Sequence, residues 1–271
     1  MSAMPDHGAS ALFISPHFDD VALSCGGTVA LFASRGVSVH ILTLFGGAPP
    51  EPLSPFARQQ HRWRGLTDEA VIDIRRAEER AAAARLGAQA SWLQVPDAIY
   101  RDTRYTSDDE LFGALHPDDA PLIDTLLSET ERFLDSLPHP VTVFVPLAIG
   151  NHVDHQIAYL LGQRLAQRHF SVWGYEDMPY AATEHGREAV TTRLQSRAGP
   201  PWIVLLTEEL FRARLLAVQE YRSQLPFIFR NLGDAEEILR RYALEAGQGR
   251  LAERFWTVGA SDYLDPWVIR P

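Results

Sequence analysis

Ala11-Leu-Phe-Ile14 leads directly into Ser15-Pro-His-Phe-Asp-Asp20, with Gly26-Gly27-Thr28 shortly after. The apolar residues have the length and branching of a buried strand, and the switch to Pro, His and paired Asp ends it. Gly26 to Arg35 then predicts a helix stopped at Gly36, and Val37 to Phe45 a second strand. Two parallel strands joined by a helix make a right-handed βαβ unit. Ligands of an open parallel sheet bind beyond the carboxyl ends of its strands. His17, Asp19 and Asp20 are thus delivered where an active site is expected.

The pattern recurs downstream. Val141-Thr-Val-Phe-Val145 precedes Asn151-His-Val-Asp-His155. With both strands central, the two clusters converge and hold enough histidines and carboxylates for one metal ion. Between and beyond them the chain predicts helices over 68–86, 122–137, 154–168, 208–224 and 235–246. Strands are expected over 91–95, 171–175, 202–206 and 255–258, with an irregular excursion over 46–66 and a polar loop from 97 to about 119. Alternating strands and helices predict an α/β fold, a Rossmann-like, mostly parallel sheet with helices on both faces. Residues 1–271 read as one domain, with a core over 9–175 and a smaller C-terminal α/β subdomain over 176–271.

Composition narrows the chemistry. The chain has 271 residues, 46% of them hydrophobic, and a net charge of -10. That charge argues against a nucleic-acid backbone or an anionic membrane as partner. The single cysteine, Cys25, excludes an internal disulfide and a thiolate zinc site within one chain. No leader or membrane-spanning run is visible, so a cytoplasmic protein is expected.

Any metal must then be held by histidine and carboxylate. A hydrolytic zinc site takes three protein ligands and keeps one position open. His17, one of Asp19 and Asp20, and one of His152 and His155 would supply them. The other Asp is placed to take a proton from water, and the other histidine to stabilise an oxyanion or protonate a leaving amine. Together these parts describe metal-assisted hydrolysis of an amide. Spacing alone leaves open which Asp ligates.

The paired motifs, SPHFDD with CGGT and NHVDH, resemble the PIG-L/LmbE-like superfamily of zinc N-deacetylases. Further stretches add to the likeness, among them Arg75-Arg-Ala-Glu78, Pro96-Asp97, Tyr175-Glu-Asp-Met-Pro-Tyr180, Tyr221-Arg-Ser-Gln224 and Glu253-Arg-Phe-Trp256. Phe18 stands where the family usually has proline, but every polar group of the motif is kept. The resemblance implies His17, Asp20 and His155 as zinc ligands and Asp19 as general base. It implies His152 as the group that polarises the carbonyl or acts as acid, tuned by Asp154, and Asp97 as a holder of sugar hydroxyls. The implied substrate is a small N-acetylated amino sugar, typically an N-acetylglucosaminyl conjugate. Larger N-acyl groups, thiol conjugates and a non-catalytic sugar-binding module are the rival readings.

Other residues carry plainer expectations. Gly26-Gly27 lacks the full dinucleotide fingerprint and reads as close helix–sheet packing. Cys25 reads as a small core residue. Arg101, Arg104 and Tyr105 stand as candidates to grip a sugar or an anionic aglycone, with Arg101 the one assigned to substrate. His61 to Arg64 read as an exposed loop, Glu78 as a helix-surface residue, and Tyr221 and Gln224 as packing residues.

Overall fold

The computed structural model describes residues 8–101, 103–194 and 200–259. The chain runs β1 (Ser10–Ser15), α1 (Asp20–Ser34), β2 (Ser38–Thr43), α2 (Pro55–Trp63), α3 (Val71–Leu86) and β3 (Gln89–Trp92). It continues through α4 (Asp108–Leu111), α5 (Ala120–Asp135), β4 (Val141–Pro146), α6 (Val153–Gln167) and β5 (Ser171–Tyr175). The last third holds α7 (Glu184–Leu194), β6 (Trp202–Leu205), α8 (Glu208–Val218), α9 (Leu225–Ile228), α10 (Ala235–Ala246) and β7 (Ala252–Thr257).

The strands form one sheet in the order β3-β2-β1-β4-β5-β7-β6. The first five are parallel, and β7 runs antiparallel to both neighbours. This is the mostly parallel α/β sheet expected. The chain winds outward from β1 to β3, then returns to place β4 against the other side of β1. The topological switch point therefore lies between β1 and β4, the two strands that precede the motifs.

Side chains alternate across β1, as a strand buried on both faces requires. Ala11 and Phe13 join a core with α1, α3, α8 and α10. Leu12 and Ile14 join a second core with α5 and α6 on the opposite face. β6 and β7 extend the same sheet, and α8 packs on α1 and α3. Among the described residues no helix is long and apolar enough to cross a membrane.

Several elements depart from the sequence reading. Helix α1 begins at Asp20 and kinks at Cys25 (φ -146°, ψ 25°), so the helix expected from Gly26 is its second segment. That segment has its own cap: the Glu253 carboxylate accepts the N–H groups of Gly27 at 3.0 Å and Thr28 at 2.7 Å. A Cβ at Gly27 would lie 2.5 Å from Leu206 Cδ1, which confirms close packing as the reason for glycine. Cys25 is fully buried in the core. The 46–66 excursion contains α2, started by Ser54, whose hydroxyl accepts from Ala57 N, and by Pro55 in the first turn. Helix α7 was not foreseen, and the segment expected as one helix over 208–224 stops at Val218.

Candidate active site

Both motifs leave their strands through backbone that a side chain adopts only under constraint. Asp19 has φ 110°, and Ala148 and Asn151 have φ 56° and 61°. Such conformations persist where the surroundings over-determine them. At Asp19 the backbone N–H is held by the buried Glu79 carboxylate, which also accepts the Tyr221 hydroxyl at 2.6 Å. At Asn151 the side-chain amide donates to the carbonyls of Phe112 and Gly113. Gly150 lies under the Tyr180 ring, where a Cβ would come within 2.3 Å of the ring carbon Cγ.

These turns bring His17, Asp19, Asp20, Asp97 and His152 to the floor of a cavity of about 360 Å³. His155 stands just behind, with Nε2 3.4 Å from Asp20 Oδ2. His17 Nδ1 lies 3.5 Å from the same oxygen. Donors about 2.0–2.1 Å from a tetrahedral ion are separated by about 3.3–3.4 Å, so each of these two contacts has the separation of a ligand pair. Among the described residues, the groups of three whose donor atoms all lie within 4.8 Å of one another are His17, His152 and His155, and His17, Asp97 and Asp154.

The outer nitrogens support that assignment. His17 Nε2 is 3.0 Å from Asp154 Oδ2, and His155 Nδ1 is 2.6 Å from Asp177 Oδ1. Each carboxylate holds a proton on the nitrogen it faces, so the nitrogen toward Asp20 is the one that carries either a second proton or a metal ion. Asp177 is itself fixed by the N–H groups of Leu147 and Ile149. His152 also offers a donor atom within 4.8 Å of those of His17 and His155. Its Nδ1, however, accepts the Asp154 backbone N–H at 3.2 Å, which leaves Nε2 as the protonated nitrogen.

Electrostatics separates the two motif aspartates. Burial, reinforced by the charge of Asp20, pushes the Asp19 carboxyl up to about 8, against the pull of Arg75. Burial also opposes ionisation of Asp20, but His155 and His17 outweigh it and hold that carboxyl well below the usual range. Burial would lower His155, yet Asp20 and Asp177 raise it to about 9. Burial likewise opposes charge on His17, and Asp97, Asp154 and Asp20 raise it well above the ordinary value. Excess negative charge that draws protons onto two histidines is the environment that a metal cation would fill in their place. His152 moves the other way, to about 3, through burial and the neighbouring His17. It is a neutral imidazole at any physiological pH.

The expected site residues therefore gather at one place, with two differences. Asp154 does not direct its carboxylate at His152. Its Oδ2 takes His17 Nε2 and the Ala98 N–H, and its Oδ1 takes the Arg101 guanidinium at 2.6 Å. Arg101, expected against substrate, is buried behind Asp154 between that carboxylate and Asp119, 3.0 Å away. Asp119, wholly buried, attracts Arg101, Arg104 and the Tyr105 hydroxyl together, so the three residues expected at a sugar make scaffold instead. Asp97 does line the cavity, with Oδ2 3.7 Å from both His17 Nε2 and Arg75 Nη1.

Other contributors were missed or misread. His61 is buried, not exposed, and bonds Asp68 and the Tyr100 hydroxyl at 2.6 Å each. Glu78 accepts from the Ser223 N–H and hydroxyl, a contact between α3 and the segment after α8 that was not foreseen. Gln224 packs as expected, yet it also lines the cavity and accepts from Arg64. Arg75, Glu79 and Asp177 had no assigned role. Asp177 follows the strand β5 as Asp19 follows β1, and that repeat of strand end and acidic residue was the signal for it.

The matches to known proteins agree with this geometry. The family model described as GlcNAc-PI de-N-acetylase (PIG-L) matches residues 12–166. The chain belongs to the PIG-L family. A 2'-N-acetylparomamine deacetylase of Niallia circulans is 35% identical over 62% of this chain and 66% of its own length. One of Streptomyces fradiae is 27% identical over 92% of this chain and 82% of its own. The zinc-inhibited form of teicoplanin deacetylase Orf2 superposes with a TM-score of 0.81 at 26% identity, over 94% of this chain and all of that one. All three are deacetylases by name, and the donor set found here fits a metal ion.

Proposed function

We propose that this PIG-L family chain is a zinc-dependent deacetylase that hydrolyses the acetamide of an N-acetylated amino-sugar conjugate. One observation carries the reading: His17 and His155, each anchored by a carboxylate on its outer nitrogen, both present the inner nitrogen to Asp20 at the cavity floor. The named activities of the relatives point the same way.

His17, Asp20 and His155 would hold the zinc ion, which would supply Lewis acidity for the attack of water on the acetyl group. Asp19 takes the proton of that water as its oxygen bonds the carbonyl carbon. Burial and the charge of Asp20 raise the proton affinity of Asp19 above that of an ordinary carboxylate, which suits a group that takes and returns a proton. The Nε2–H of neutral His152 donates to the carbonyl oxygen as negative charge develops there. Asp19 returns its proton to the nitrogen as the C–N bond breaks, and acetic acid and a primary amine form; the acid's proton passes to the amine, so that acetate and an ammonium leave. Asp97 accepts from sugar hydroxyls. Arg101 acts at a remove, holding Asp154 so that Asp154 holds His17. The described residues work as one unit in this reading, since Glu253 of β7 caps α1 and Gln224 lines the cavity.

The test is primary-amine release from a panel of N-acetylglucosaminides and N-acetylated aminoglycosides, using protein of measured zinc content. Release that stops on chelation and returns with zinc is the expected result. Fully loaded protein that releases amine from no member of the panel refutes the proposal.

A further inference from the structure

Among the described residues many arginines of this acidic chain find a carboxylate. Arg75, Arg85, Arg101, Arg214, Arg240 and Arg254 all do so. Two that line the catalytic cavity do not. Arg64 donates only to neutral acceptors, Gln224 Oε1 at 3.0 Å and the carbonyl and side-chain oxygens of Gln60. Arg230 donates to the Phe227 carbonyl at 3.0 Å. Among the described residues neither lies within ion-pair distance of a carboxylate, and each keeps N–H groups unused.

Both guanidiniums pack on one ring. Arg64 lies 4.0 Å and Arg230 3.7 Å from the centroid of Phe227, which Trp63 stacks from α2. The ring orients the two flat cations without neutralising them. The cavity's carboxylates stand elsewhere: Asp19, Asp20 and Asp97 at the floor and Asp108 in α4. Burial and the charge of Arg75 push Arg64 down to about 10, and Asp97 and Asp19, which act on it without an ion pair, do not offset them. Ile228 and Leu232 continue the wall with apolar surface.

We propose that Arg64, Phe227 and Arg230 form a subsite for an anionic group, carboxylate or phosphate, on the aglycone of the substrate. The proposal rests on the deacetylase reading for what occupies the floor. Arginine suits both anions because its planar donors match two oxygens at once. A polycationic aglycone is disfavoured by the same wall.

The experiment uses four aryl N-acetyl-β-glucosaminides that differ at the para position: unsubstituted, carboxylate, phosphate and trimethylammonium. Binding to metal-free protein is measured by calorimetry, and amine release is followed separately with zinc-loaded protein. The anionic ligands should bind about tenfold more tightly than the unsubstituted one, and the cationic ligand least well. Comparing the carboxylate and phosphate ligands shows which anion is preferred. Arg230→Gln, at an exposed position, should remove much of the preference, and the double variant Arg64→Gln/Arg230→Gln all of it. Equal binding of anionic and neutral ligands, or a preference unchanged in Arg230→Gln, overturns the subsite. Anion preference without amine release from any ligand would refute the deacetylase reading and leave the subsite. Release with equal KM for all four would do the reverse.

Discussion

At the floor of the cavity His17 and His155 are each held by a carboxylate, and each of those carboxylates has further donors of its own. On the wall formed by α2 and α9, two guanidiniums lie against a phenyl ring with neutral acceptors only. The two regions are a few side chains apart and are built on opposite logic. Charges compensated inside the protein fix atoms in place, which is what a reacting centre needs. Charges left uncompensated at the wall hold interaction energy in reserve for a ligand. On the proposed function the floor serves chemistry and the wall choice of substrate, and mutations should separate the two.

The largest separation is expected at Asp19. Asp19→Asn keeps the size of the side chain but removes its capacity to take a proton. Turnover should fall by about 10²–10⁴-fold. Zinc content and the affinity for an aryl glucosaminide should stay the same, read by metal analysis and calorimetry. Loss of zinc in this variant would place Asp19 among the ligands and exchange its role with that of Asp20.

Arg101→Met tests the layer behind the floor. It leaves Asp154 facing His17 without its cation and takes one partner from the wholly buried Asp119. Removing one partner of a buried pair costs about 3–5 kcal/mol, so the chemical denaturation midpoint should drop substantially. At temperatures where the variant remains folded, its KM for the sugar should move less than its kcat. A KM effect alone would return Arg101 to the substrate, where the sequence had put it.

That reversal shows what a linear sequence can carry. The fold and the central site were legible because their signals are local: an apolar run gives a strand, and the polar residues just beyond it fall at the strand's carboxyl end. Ala11 to Asp20 and Val141 to His155 both state this within about a dozen residues. Arg101 was misplaced because its partners Asp119 and Asp154 meet it only through tertiary packing. Glu79, bonded to Tyr221 across 142 positions, has no local signature at all. The kink at Cys25 is equally non-local, since the cap of the second helical segment comes from Glu253 on the far strand β7. α2 was hidden by the Pro-rich stretch before it, although Ser54-Pro55 is an ordinary helix start.

Asp177→Asn should act on the floor more gently. An amide can still approach His155 Nδ1 but cannot draw the proton there as a carboxylate does. Zinc affinity should weaken by about 10–100-fold with the fold retained, measured by competition with a chromophoric chelator. An unchanged affinity would mean that Asp177 only braces the turn at Leu147 and Ile149.

The smallest effect is expected from Trp63→Ala. Trp63 is 48% exposed, and its ring centroid is 5.8 Å from that of Phe227 at an interplanar angle of 20°. Losing that stack should lower stability by about 0.5–1.5 kcal/mol and loosen Phe227 beneath its two guanidiniums. KM for an anionic aryl glucosaminide should then rise a few-fold more than KM for the unsubstituted one. Zinc affinity should not follow, because among the described residues no hydrogen bond or ring contact joins this ring pair to a carboxylate or histidine of the floor. A fall in zinc affinity as large as that of Asp177→Asn would show that wall and floor are one mechanical unit. The separation of chemistry from substrate choice would then fail at its weakest joint.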